Sequence, residues 1–532
     1  MTKKRILMCA EAHDVNSGFG RYTYEIMSRL YKNPNYEVAE LSSYYKEDRE
    51  KKVPWKVYPN EPAGNNEKEL EYYRSNPTNQ FGQWRFEKTV LHFKPDIVFD
   101  IRDYWMFAYQ EISPLRKYFN WVIAPTVDSV PQKPEWLKTF ENADMVLTHT
   151  DWAGDYLKSL NRNINVGPSV SDSVDSKVFK PVNYTKSYHR TKFGLSPDAF
   201  IIGSVMRNQK RKLIPELFKS LRNIIDRTNN PSIYLYLHTS FPETHGWNIP
   251  ELLQEFGVEN NVLFSYYAPG PKKLYVSTYK GPKIKCFDDP SMFAVIPNVV
   301  HGISNQQLNE VYNLFDIYVQ YAICEGLGIP QLEAASCGVP VFSINYSGME
   351  EITTKIDGIK LNHLLSKELE TGADRATPDN EHFITEVIKF MELSKPEKKN
   401  LSIKTRNLLL DNYSWDKTAE VLMSVFDKME PKNKWEDKLE TDVSINVPDN
   451  LSDRQFINFI VTNILKEESL LRTHYIQNMI RALCEGYLSI ASPTNFTRQE
   501  AVKILENYVN HKVFCEQVRS GEIKLSDSFL NY

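Results

Sequence analysis

Apolar residues along this chain come in short runs set between longer stretches of helical spacing. Ile6–Cys9, Asp96–Ile101, Trp121–Val127 and Met145–Thr148 are largely apolar and short. A second series follows at Phe200–Met206, Ile233–His238, Val262–Tyr266, Ile317–Tyr321 and Val339–Ile344. Such runs predict strands buried on both faces. Strands alternating with helix-length segments predict a mostly parallel, doubly wound sheet, and two series predict two sheets. The pattern breaks near VFKPVNYTKSYHRTKFGLSPD, where Pro181 and polar residues intervene. The predicted class is α/β, with two Rossmann-like domains at 1–185 and 186–432.

Beyond the second series the pattern changes. KNKWEDKLETDVSINVPDN is charged and aperiodic, which predicts a linker over 433–450. Asp453–Leu465, Leu470–Tyr487 and Arg498–Val518 then carry helical spacing, so 451–532 reads as an all-helical appendage. Its Phe456, Ile457, Phe459, Ile460 and Ile464 form an apolar face that has to be covered. The core, a second subunit or an acceptor could cover it, so an oligomer through these helices is one expectation. The segment 268–302 is rich in Pro, Lys and Gly and is long for a connection inside a compact domain. It reads as a functional insertion or as a plain surface excursion.

Bulk composition narrows the classes. A chain of 532 residues is too long for one core. With 41% hydrophobic and 25% charged residues it has an ordinary globular balance. Its formal net charge of -4 provides no global attraction for nucleic acid. The six cysteines, Cys9, Cys286, Cys324, Cys337, Cys484 and Cys515, show no Cys-x-x-Cys pairing. They read as free thiols of a reducing cytoplasm. MTKKRILMCA lacks the apolar core of a secretory signal, and no run of about 18 apolar residues predicts a spanning helix. A cytoplasmic location is expected.

Candidate chemistry concentrates in YNLFDIYVQYAICEGLGIPQLEAASCGVPVFSINYSGMEEI. The strand at Ile317–Tyr321 feeds a tight loop containing Glu325, Gly326 and Gly328, and a helix starts near Ile329 or Pro330. Proline suits a first helical turn because its missing N–H is not needed there. Free amides and the positive helix end then face an anion. Seven residues separate Glu325 from Glu333, so both carboxylates can reach one crevice and accept sugar or ribose hydroxyls. In IIGSVMRNQKRKLIPELFKSL, Arg207 ends a strand and Lys212 opens a helix. Bases at a helix start oppose its dipole, so an anionic partner accounts for them best. Lys210 and Arg211 leave open which base points inward. In EAHDVNSGFGRYTYEI, Gly18 and Gly20 allow close backbone approach ahead of a helix.

The first of these strings resembles the signature of the retaining, two-Rossmann (GT-B) glycosyltransferases of family 4. By that resemblance Glu325 lies near the donor sugar and Glu333 binds the donor ribose. Gly326, Leu327 and Gly328 form the loop that meets sugar and phosphates, with Leu327 where phenylalanine is more usual. The resemblance gives Arg207 and Lys212 the donor diphosphate, and turns Gly18 and Gly20 toward phosphates and acceptor. SVDSKVFKPV resembles the string closing the first domain, and YSWDKTAEVLMSVFDKM resembles a last helix that crosses back to it. Many relatives place a histidine at the end of a central first-domain strand. Here APTVDSVP puts Val127 or Asp128 there, and Asp128 could bind an acceptor hydroxyl or cap a loop. Some relatives carry zinc-ribbon cysteines near 268–302, where this chain has only Cys286, so no zinc is expected.

The resemblance implies transfer of a sugar from a nucleoside-diphosphate sugar, as co-substrate, with retention and without any other cofactor. No Asp-x-Asp metal clamp occurs, so Arg207, Lys212 and loop amides would stabilise the leaving group. The rivals are a nucleotide-sugar epimerase of the same architecture and a non-catalytic sugar-binding scaffold. Glycan, lipid-linked sugar, protein, small molecule and modified DNA bases all stay open as acceptor.

Overall fold

The computed structural model describes residues 3–432 except 114, 299 and 300, together with Trp435 and Gln455. The proposed appendage at 451–532 and most of the linker lie outside the described residues. The first sheet contains β1 (Lys4–Glu11), β2 (Tyr36–Lys46), β3 (Lys56–Glu61), β4 (Ile97–Asp100), β5 (Asn120–Ile123), β6 (Met145–Thr148) and β7 (Val166–Ser169). Their spatial order is β3-β2-β1-β4-β5-β6-β7, and every pairing is parallel. Strand β1 explains why its run is continuously apolar. Leu7 and Cys9 pack with Phe86 and Trp121 on one face, while Ile6 and Met8 pack with Tyr22 and Phe426 on the other.

The pattern reading does not anticipate β2 and β3. Strand β2 buries Glu40, Ser42 and Ser43, so polar letters occupy core positions. Glu40 accepts from Trp55 Nε1 at 3.0 Å and from Ser42 Oγ at 2.6 Å, and Ser43 accepts from Arg102 at 2.8 Å. Paired polar groups can be buried without large cost, but they disguise a strand.

The second sheet contains β8 (Phe200–Val205), β9 (Ile233–His238), β10 (Val262–Ala268), β11 (Lys273–Thr278), β12 (Lys283–Lys285), β13 (Phe293–Val295), β14 (Ile317–Gln320), β15 (Val341–Ile344) and β16 (Ile359–Leu361). The order is β12-β13-β10-β9-β8-β14-β15-β16, with β11 also paired to β10. Strands β8, β9, β10, β14, β15 and β16 run parallel to their neighbours among this set. Within the 268–302 segment, β11 and β13 add to β10 antiparallel, and β12 extends the edge. A separate hairpin, β17 (His363–Lys367) with β18 (Asp374–Pro378), follows β16.

The chain leaves the first domain earlier than the Pro181 break. Val170 packs in the first core, but Val174 and Phe179 already pack with Tyr312, Phe315 and Leu332 of the second. It returns through the helix Trp415–Lys428, whose Trp415, Leu422 and Phe426 join Ile6, Met8 and Tyr22. Lys4 Nζ donates to the Phe426 and Met429 carbonyls at 2.7 and 2.8 Å. The expected linker is not free at its start, because Trp435 is 7% exposed and stacks on Tyr118 with centroids 4.8 Å apart. Among the described residues, no helix is long and apolar enough to cross a membrane.

Candidate active site

The loop 325–328 forms where β14 ends. Gly328 has φ 102°, a conformation costly for any residue with a Cβ. It caps the helix Ile329–Ser336, whose second residue is Pro330 and whose N-terminus has no side-chain cap. The Leu327 side chain packs into the second core with Leu332 and Tyr312, which leaves the loop backbone as its outward surface. Gly326 lies against Thr126 of the first domain: a Cβ there would come within 2.5 Å of Thr126 Cγ2.

Glu325 is buried and accepts from Lys212 Nζ, from Arg211 at 2.9 Å and from Gln320 Nε2 at 3.0 Å. Its backbone is held as well. Its N–H donates to Ser347 Oγ at 3.1 Å, and its carbonyl accepts from Gly348 N at 3.1 Å. Burial alone would raise its carboxyl, but Lys212 and Arg211 hold it down to about 2. Lys212 responds the other way. Burial lowers its ammonium, Glu325 opposes the fall, and Arg211 on the same carboxylate adds to it. One buried anion thus meets two cations, buried Lys212 and part-exposed Arg211, and an anionic ligand could balance the remaining positive charge. Two strained residues flank the cluster: Leu213, φ 47°, turns the chain after Lys212, and Ser347, φ 56°, carries the hydroxyl under Glu325.

The four bases of the β8 loop do not act alike. Arg211 and Lys212 converge on Glu325. Lys210 lies over the Trp247 ring at 4.0 Å. Arg207 is 59% exposed, with contacts of 3.3 and 3.5 Å to Glu243. The structure thus joins Lys212 to Arg211, and does not bring Arg207 to Glu325.

Glu333 is buried one turn further into the helix. Tyr312 donates to its Oε2 at 2.7 Å, and Arg21 of the first domain meets its Oε1 at 2.5 Å. Sequence reasoning missed both partners. A signal for Arg21 existed, since it is a base in the first turn of the helix Gly18–Leu30, the same oddity that singled out Lys212. Gly20 is required by packing: a Cβ would lie 2.3 Å from the Val15 carbonyl oxygen. Gly18 faces Ile329, so the two glycine loops meet across the domain boundary.

Asp128 also lies on that boundary. It accepts from Ser129 Oγ at 2.8 Å and from Cys324 Sγ at 3.2 Å, and Arg375 of the β17–β18 hairpin approaches at 3.5 Å. Arg375 contacts Cys324 at 2.9 Å and Glu368 at 2.7 Å. The hairpin itself crosses to the first domain, with Asp374 N donating to the Val130 carbonyl at 2.7 Å. Among the described residues no three His, Cys, Asp or Glu side chains group as metal ligands.

The family model described as Glycosyl transferases group 1 matches residues 297–408, which span Glu325 and Glu333 but not Arg207 or Lys212. No curated protein matches the sequence. Among solved structures, sucrose-phosphate synthase of Thermosynechococcus elongatus is similar with a TM-score of 0.56 at 15% identity, over 80% of this chain and 99% of that one. A glycosyltransferase from Rickettsia africae gives 0.54 at 14%, over 80% and 99%. Anabaena HepE in complex with UDP and glucose gives 0.53 at 12%, over 80% and 100%. The likeness is one of fold, and the fold is GT-B.

Proposed function

We propose that this chain is a glycosyltransferase that takes a sugar from a nucleoside-diphosphate donor held mainly by the second domain, with the acceptor against the first. The observation that carries the reading is the convergence of Lys212 and Arg211 on Glu325, beside an uncapped helix N-terminus and opposite the first domain's glycine loop. In this reading the two cations and the loop amides stabilise the charge that develops on the leaving diphosphate. Glu325 positions them and borders the transferred sugar, and Glu333 takes the ribose hydroxyls in exchange for Arg21. HepE, of the same fold, binds UDP and glucose, which supports a uridine nucleotide as the first donor to try. Retention at the anomeric carbon and independence from metal belong to the same proposal.

The test is nucleotide release from a panel of nucleotide sugars, with and without candidate acceptors. Slow release without acceptor and faster release with one support the proposal. Conversion of the donor sugar without nucleotide release would instead indicate an epimerase. Turnover should persist in excess chelator; loss of turnover there, restored by magnesium or manganese, would contradict the metal-independent mechanism.

A further inference from the structure

Strand β12 is the outermost strand at its end of the second sheet, separated from β14 by β13, β10, β9 and β8. At about 4.8 Å between neighbouring strands, it lies roughly 24 Å from the strand that feeds the Glu325 loop. Pairing in the β12–β13 hairpin decides which residues share a face. Ile284 and Ala294 sit opposite each other and are buried in the second core. Lys285 opposite Phe293, and Lys283 opposite Val295, therefore lie on the outer face. The hairpin closes near Cys286, whose N–H donates to the Met292 carbonyl at 3.0 Å. At this tip Phe287, Met292 and Phe293 are 63%, 41% and 45% exposed. The antiparallel pairing of β13 with β10 brings the tip beside the β10–β11 turn, which carries Lys272 and Lys273.

The local charge is opposite to that of the whole chain. Residues 269–298 hold five lysines, Lys272, Lys273, Lys280, Lys283 and Lys285, against two aspartates, Asp288 and Asp289, whereas the chain carries a formal net charge of -4. Asp288 is occupied by Lys273 and by the Tyr275 hydroxyl. Asp289 accepts from the Ser291 amide at 3.0 Å and from its hydroxyl at 2.6 Å. In the groove beside the tip, Lys192 and Glu310 pair at 2.6 Å and cancel. Lys272, Lys283 and Lys285 are exposed and have no carboxylate within ion-pair distance among the described residues.

Lysines on an edge strand can serve to block pairing with another chain. That accounts for Lys283 and Lys285 but not for the large apolar side chains exposed beside them, which favour association. Lys283 Nζ lies 4.0 Å over the Phe293 ring, so the lysine stem and the ring form one amphipathic surface. An apolar tip rimmed by unpaired lysines matches a bilayer interface, with rings among the upper acyl chains and ammonium groups at anionic headgroups. Nucleic acid suits the surface less well, because Lys283 already covers the Phe293 ring and Met292 offers no stacking face. A second copy would bring like charges together.

We propose that the β12–β13 hairpin docks the protein on the surface of an anionic lipid bilayer. Phe287, Met292 and Phe293 enter the interface, and Lys272, Lys283 and Lys285 meet the headgroups. The contact requires no nucleotide sugar, so its failure would leave the transferase reading untouched.

The experiment is co-sedimentation of the full chain with vesicles of phosphatidylcholine alone, or of equal parts phosphatidylcholine and phosphatidylglycerol. Binding to the mixed vesicles, weaker on phosphatidylcholine and reduced by salt, is expected. Lys283→Gln combined with Lys285→Gln should weaken it about thirtyfold, the scale of two lysines at an anionic surface. Phe287→Ser combined with Met292→Ser should weaken it about tenfold through lost apolar burial. Thermal unfolding checks both variants, and Met292→Ser alone serves if the apolar pair does not fold. Absence of binding to the mixed vesicles, or unchanged binding in either folded variant, would overturn the proposal. Tighter binding to a single-stranded oligonucleotide that the mixed vesicles do not displace would also overturn it, making the patch a nucleic-acid surface.

Discussion

At the scale of single residues, the two glutamates of the strand–loop–helix unit after β14 are held in different ways. Glu325 is locked inside its own domain by Lys212, Arg211 and Gln320. Lys212 and Arg211 hold its carboxyl down to about 2, so in the proposed function it acts through fixed charge and geometry rather than proton transfer. Glu325→Gln is expected to retain the fold and lose turnover by about a hundredfold, the scale of one preorganised polar group. A folded variant with wild-type turnover would remove Glu325 from the reaction. Glu333 is held from both domains, by Tyr312 of its own and by Arg21 of the other. Glu333→Ala is expected to weaken nucleoside-diphosphate binding by about 1–3 kcal/mol, readable by calorimetry. Equal affinity would refute the ribose assignment.

At the scale of elements, three turns meet at the loop after β14. Gly328 ends the loop left-handed, Leu213 redirects the chain after the basic turn, and Ser347 anchors Glu325 from the helix Ser347–Lys355. Strain gathered at one place is maintained by the two sheets around it. Gly328→Ala puts a Cβ at φ 102° and 2.6 Å from Gln331 Nε2. It should cost about 1–2 kcal/mol of stability from the backbone alone and reduce turnover further by shifting the loop amides. A variant with unaltered melting and unaltered turnover would show that the loop tolerates another backbone path.

At the scale of the molecule, contacts near both ends of the described chain tie the domains together. The helix Trp415–Lys428 is built into the first core although it follows the second domain in sequence. Trp435 continues that return by stacking on Tyr118. A chain ending after Pro431 loses this buried ring, whereas one ending after Glu436 keeps it. The shorter chain should be less stable by about 3 kcal/mol, as for removal of a large core aromatic. Denaturant unfolding of the two chains checks this, and identical midpoints would mean that the stacked ring contributes nothing.

Much of this was already legible in the sequence, and the reason is locality. Continuous apolar runs mark strands covered on both faces, as in β1, β8 and β14, because burial is written directly in the letters. Glu325, Gly328 and Glu333 lie on one strand–loop–helix unit, so their proximity follows from spacing. Strand β2 was hidden because its core positions hold Glu40, Ser42 and Ser43, whose hydrogen-bond partners come from elsewhere in the chain. Tertiary structure alone decided which bases turn inward, since a single helical turn and the left-handed Leu213 set whether Arg207 or Arg211 meets Glu325. It alone brought Arg21 to Glu333 across 312 positions. Periodicity records which face of an element is covered, but packing decides which distant side chain covers it.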